Sequence, residues 1–189
     1  LYVVRDITYF SRLGSVNTDE TLKLAKERAE ELGIHSIVVA SSTGMTGVKA
    51  SELFRGYNLV VVTSVTGFKE PNVQRLKPEY RDLIERNGGR IVTAAHAFGT
   101  IGRAVHRKFG AIQVDEIVAY VLRLFGEGVK VACEISCMAC DAGLIRTDEE
   151  VISIGGSSGG ADTAVVLKPA NTHNFFDMRI NEIICKPRL

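Results

Sequence analysis

Three short runs of β-branched apolar residues do most to limit what this chain can become. They are Ser36-Ile37-Val38-Val39-Ala40, Leu59 to Val62, and Arg90 to Ala94. Each is too short for a helix and lacks polar alternation, so each reads as a strand buried on both faces. Stretches of helical periodicity separate them. Asn17 with Glu20 three residues later has the form of a capping box; Leu22, Ala25, Ala29 and Leu32 follow at helical spacing, and Gly33 supplies the stop. A second helix is expected from about Val48 to Phe54, and a third from near Pro78 to the Gly88-Gly89 break. Buried strands alternating with helices specify a parallel sheet covered on both sides.

The middle of the chain is helical in pattern. Ile117, Val118, Val121, Leu122 and Phe125 form one apolar stripe, and Val129 to Ala142 continues after a Gly126-Glu127-Gly128 break. The last third changes character. Val151 to Ile154, Ala164 to Leu167 and Glu182 to Cys185 are short strands, and no helix fits between the first two. Those two pair antiparallel, which makes the sheet mixed. With no repeat, low-complexity tract or linker in 189 residues, one α/β domain over residues 1–189 is expected.

Charge narrows the partners. Lysine and arginine exceed aspartate and glutamate by one, giving +1 at pH 7, so no general field draws in nucleic acid or an anionic membrane. No apolar run approaches the roughly 20 residues of a membrane helix. Any anion site must be local. The 4 cysteines, three of them clustered, differ from the spread pairs of a secreted disulfide scaffold. No signal-peptide pattern opens the chain at Leu1, and a cytoplasmic protein is expected.

Two loops carry the candidate chemistry. Ser41-Ser42-Thr43-Gly44-Met45-Thr46-Gly47 lies between a strand and a helix, where free backbone N–H groups and the helix dipole favour an oxyanion. It matches neither a Walker loop nor a dinucleotide fingerprint. A phosphate cradle and a plain helix-starting cap cluster both fit it. The second loop, Gly155-Gly156-Ser157-Ser158-Gly159-Gly160-Ala161-Asp162, holds four glycines within six positions, more than a hairpin needs. It suggests backbone wrapped around a ligand, and both loops follow strands that end at one edge of the sheet.

The run SIVVASSTGMTGVKA, Ser36 to Ala50, resembles the strand, hydroxyl-rich phosphate loop and helix of the pyruvate kinase C-terminal domain. VISIGGSSGGADTAVV, Val151 to Val166, is similar to that domain's glycine-rich loop between its last strands. Over nearly the whole chain, with Asn174-Phe175-Phe176-Asp177 included, the sequence looks like a family of stand-alone archaeal proteins of this fold, whose members resemble flavin mononucleotide binders of unassigned activity. The resemblance implies a three-layer α/β/α domain around a mixed, mostly parallel sheet. It also implies a ligand phosphate at Ser42, Thr43, Gly44 and Thr46, with Ser41 beside them. The glycine loop departs from the kinase pattern, carrying Ser157, Ser158 and Asp162 where the kinase grips a second sugar phosphate with aromatic and basic residues. That departure favours flavin mononucleotide over a sugar bisphosphate.

Other residues bear on the same crevice. Cys133-x-x-x-Cys137-x-x-Cys140 has iron–sulfur spacing, with Cys185 as a nominal fourth ligand, but positions i, i+4 and i+7 also form one helix face. Small buried thiols explain the pattern, and no metal site is expected. Glu134 and Met138 share a stripe that faces either the crevice or solvent. His96 closes a strand where side chains enter the crevice, and Thr63, Thr66 and Gly67 extend its wall. His173 lies on a loop that fits either a closure over the site or a plain connection, whereas His35 and the basic run at His106 read as surface. With Gly156, Ser157, Ser158, Gly159, Gly160, Ala161 and Asp162 of the glycine loop, these make the candidate ligand set. The pattern fits binding of a phosphorylated small molecule, flavin mononucleotide first. A non-catalytic sensor of a phosphorylated metabolite is the alternative, since no acid, base or nucleophile is unambiguously placed. Self-association stays open.

Overall fold

The computed structural model describes residues 2–188. Among the described residues there are seven strands: β1 (Thr8–Phe10), β2 (Ser36–Ala40), β3 (Asn58–Thr63), β4 (Arg90–Thr93), β5 (Val151–Gly155), β6 (Thr163–Lys168) and β7 (Arg179–Pro187). They form one sheet in the order β1-β7-β6-β5-β2-β3-β4. Strand β6 runs against both its neighbours, and the other pairings are parallel. This is the mixed, mostly parallel α/β sheet that the apolar runs specify. The short β1 is a strand the hydrophobic pattern misses, because three residues carry no periodicity.

Six α-helices among the described residues cover the sheet: α1 (Thr18–Leu32), α2 (Met45–Leu53), α3 (Pro78–Arg86), α4 (Ile101–Phe109), α5 (Val114–Arg123) and α6 (Glu127–Asp141). Strand residues alternate between two cores. Ile37, Val39, Leu59, Val61, Ile152 and Ile154 face Leu22, Ala25 and Ala29 of α1, Phe54 after α2, and Ile84 of α3. Val38, Val60, Val62, Val92, Val151 and Val165 face the opposite layer, made mainly by α6. Both faces are dry, which is why these strands show no polar alternation. Among the described residues no helix is long and apolar enough to cross a membrane.

Three local expectations are corrected. The Asn17 capping box does not form: a 3₁₀ turn at Gly14–Asn17 precedes α1, and the Asn17 amide donates instead to the Arg12 carbonyl at 2.7 Å. Helix α2 starts at Met45 rather than Val48, running straight through Gly47. A Cβ at Gly47 would lie 2.8 Å from Ile84 Cδ1 and 2.9 Å from Val61 Cγ1, so that glycine lets the helix approach β3 and α3. The α5 stripe is only partly buried. Ala119, Val118 and Leu122 pack into the α6 layer, whereas Ile117, Val121 and Phe125 are exposed.

Candidate functional site

Strands β2 and β5 are adjacent and parallel, with Val39 opposite Ile154, so the hydroxyl-rich and glycine-rich loops leave the sheet at one edge. The helices they meet, α1 for the glycine-rich loop and α2 for the hydroxyl-rich one, pack on the same face of the sheet. The glycine loop folds onto the 3₁₀ turn before α1: Ala161 N–H donates to Thr18 Oγ1 at 3.0 Å, and a Cβ on Gly160 would strike Ser15 Cα at 2.4 Å. Asp162 is fully buried and accepts from the Gly14 N–H at 2.8 Å, the Ser157 N–H at 3.2 Å and the Thr163 hydroxyl at 2.9 Å. Its carboxylate organises the β5–β6 connection instead of facing a ligand. Gly156 packs on Gly160, Ala161 is buried, and Ser158 and Gly159 are exposed on the turn.

The first loop keeps part of its capacity for an anion. Ser41 is buried, and its Oγ accepts from the Gly47 N–H at 2.9 Å, so this hydroxyl caps α2. Gly44 holds a φ of +110° and abuts Tyr80, which makes it a structural glycine. Thr46 is buried, while Ser42 and Thr43 are exposed. The N–H groups of Ser42, Thr43, Gly44, Met45 and Thr46 have no hydrogen-bond partner among the described residues. Five N–H groups at the start of a nine-residue helix are thus unpaired, where the helix dipole also favours negative charge, and of their residues Ser42 lines the neighbouring cleft.

Beside this loop, between the carboxyl ends of β2 and β3 and helix α6, lies a cleft of about 350 Å³. That is near the lower end of the roughly 300–1,000 Å³ typical of small-molecule sites. Ala40, Ser42, Val62, Thr63, Ser64, His96, Glu134 and Met138 line it, so five of the predicted residues converge there: Ser42, Thr63, His96, Glu134 and Met138. Thr66 and Gly67 do not line it. They form an exposed turn in which Gly67 N–H donates to the Val73 carbonyl and Gln74 Nε2 donates to Thr66 Oγ1. Of the glycine loop, Gly156 to Asp162 all lie off the cleft.

The cleft also gathers charges that sequence reasoning missed: Arg103 from α4, Arg123 from α5, and Glu127 and Lys130 from α6. Arg123 pairs with Glu127. Lys130 and Glu134, one helical turn apart and both buried, pair at 2.5 Å, and Glu134 Oε1 accepts from the Phe98 N–H at 3.0 Å. Arg103 makes no hydrogen bond or ion pair among the described residues and sits over the Phe68 ring at 5.6 Å. His96 Nε2 accepts from the Val65 N–H at 3.2 Å, which places its proton on Nδ1. Burial lowers its pKa below 6.5, and Lys130 and Arg103 push the same way against Glu134, so the ring is neutral at pH 7. Its ring lies 5.0 Å from that of Phe68. The Ser64 hydroxyl is buried without a partner among the described residues. An orphaned hydroxyl costs about 1–3 kcal/mol, a penalty a ligand acceptor would relieve.

The remaining candidates fall elsewhere. Register pairs Leu167 with Val151, so the β6–β7 connection starts from the opposite edge of the sheet; its exposed His173 does not line the cleft, although Phe175 of the same 3₁₀ turn packs edge-on against Phe98 at 5.2 Å. His35 is exposed, and His106 Nδ1 lies 2.8 Å from Glu116 Oε1. Cys133, Cys137 and Cys140 are buried in the α6 core, whereas Cys185 lies in the core on the other face of the sheet. The four thiols are therefore not one ligand set. Burial pushes the pKa of Cys133, Cys140 and Cys185 up to about 12, and that of Cys137 up as well, leaving unreactive thiols.

The pyruvate kinase alpha/beta domain model matches residues 19–167, well over half the chain, and the protein belongs to that family.

Proposed function

We propose that this protein binds a phosphorylated small molecule, with the phosphate on the N–H groups of Ser42 to Thr46 and the remainder in the adjoining cleft. The observation that carries the reading is the run of five N–H donors at the start of α2, unpaired among the described residues and beside a cleft that Ser42 lines. Flavin mononucleotide is the ligand to test first. The sequence resemblance suggests it, and the Phe68 and His96 rings and Met138 offer surfaces for a flat ring system. Family membership favours a second reading, a regulatory module that senses a phosphorylated metabolite without transforming it.

The visible spectrum of the purified protein, followed by titration with flavin mononucleotide, separates the two. A two-band yellow spectrum and a bound flavin that can be reduced and reoxidised support the flavoprotein reading. A colourless protein that changes assembly with a phosphorylated metabolite supports the sensor. Thr43→Glu tests the cradle itself. A carboxylate about 4 Å from the phosphate opposes binding by ~1 kcal/mol even at the dielectric of water, a loss of about fivefold or more. Unchanged affinity would refute the phosphate assignment.

A further inference from the structure

The half of the cleft formed by the ends of β3 and β4 and by α4, next to the β2 end that carries Ser42, holds donors that find no counterpart among the described residues. Ser64 offers a buried, unpartnered hydroxyl, His96 a free Nδ1–H, and Arg103 a guanidinium with no ion pair. The acceptors nearby are engaged: Glu134 by Lys130 and the Phe98 N–H, and Glu127 by Arg123. Three cations against two carboxylates leave one positive charge, at Arg103. These donors come from three separate segments, the end of β3, the β4–α4 loop and α4, and meet only in the fold.

We propose that this inner half reads an acceptor-only group at the end of the ligand opposite its phosphate, either a carboxylate or the carbonyl edge of a heterocycle. The proposal rests on the phosphate reading above and adds the chemistry of the other end. A second phosphate is the wrong match. It carries about −1.5 to −2 at pH 7, more than Arg103 balances, and it would sit beside Glu134 and Glu127. A group with only donors, such as an amine, is excluded by the same inventory, since it would leave the His96 Nδ1–H and the Arg103 guanidinium facing like polarity.

Calorimetric titration of the full chain at pH 7.5 tests this with inorganic phosphate, glycerol 3-phosphate, the corresponding phosphoglycerate, flavin mononucleotide and a sugar bisphosphate. The expected result is that phosphoglycerate or flavin mononucleotide binds at least about tenfold more tightly than glycerol 3-phosphate, equivalent to 1.4 kcal/mol. Which of the two gains identifies the source of the acceptor group. That gain should fall to below about threefold in Arg103→Met and in Ser64→Ala, with inorganic phosphate binding unchanged. Arg103 is half-exposed on α4, so Arg103→Met carries the test if Ser64→Ala fails to fold. Equal affinity for all monophosphates, a gain that survives Arg103→Met, or tightest binding of the bisphosphate overturns the proposal while leaving the phosphate site intact. Failure of inorganic phosphate and every ester to bind overturns both.

Discussion

His96 accepts a hydrogen bond from the Val65 N–H through Nε2, and that single contact ties its ionisation to the shape of the cleft wall. Protonation would put a hydrogen on Nε2, turn the acceptor into a donor and release the segment that carries Ser64. Because the folded pKa lies below the ordinary 6.5, the unfolded chain takes up the proton first as pH falls. Stability from the neutral ring is complete above 6.5 and is lost progressively below it. The melting-temperature difference between wild type and His96→Gln should therefore be constant above pH 7 and shrink toward pH 5. Parallel curves would show that the ring is not held neutral. The crevice position of His96 was legible because it ends an apolar run. Arg103 was not: helix α4 buries none of its residues, so nothing in its pattern separates Arg103 from the solvated Arg107 and Lys108.

Helix α6 and strand β5 cross closely enough that the small residues in both are packing requirements. A Cβ on Gly155 would lie 2.4 Å from the Gly128 carbonyl oxygen, and one on Gly128 would lie 2.0 Å from Thr163 Oγ1. This explains two of the glycines without any ligand, one of them in the run that suggested a wrapped backbone. Gly155→Ala is expected to cost about 1–3 kcal/mol by overpacking, read as a lower denaturation midpoint. At exposed Gly159 a Cβ would enter open space, so a substitution there is strained only by the φ of +98°. No loss of stability in Gly155→Ala would refute the close crossing. Strand and helix types were legible along most of the chain because dry strands and amphipathic helices differ in period. Boundaries were less so. The capping-box pattern at Asn17 lost to a preceding 3₁₀ turn, whose Gly14 N–H is held by Asp162, 148 residues away in sequence. No local pattern carries such a contact.

At the scale of the whole molecule, the matched residues 19–167 are not the whole of the sheet. They stop within β6 and leave out β1 and β7, although β7 lies between β6 and β1. Ala164 to Leu167 of β6 are at most 1% exposed and divide between the two cores, and Cys185 of β7 is fully buried in the one that holds Ala164 and Val166. Arg28 of α1 also clasps Glu182 of β7 through two hydrogen bonds, at 2.8 Å and 2.5 Å. Removing β7 would expose apolar surface on both faces of β6, leave a row of backbone groups unpaired and strip the α1 cation of its partner. Removing residues 2–18 would in addition deprive buried Asp162 of the Gly14 N–H. A fragment of residues 19–167 should accordingly lack a cooperative thermal transition and aggregate, whereas the full chain melts in one step. Circular dichroism on both decides it: a cooperative melt of the fragment within a few degrees of the full chain would mean that β1 and β7 merely decorate a sheet already complete.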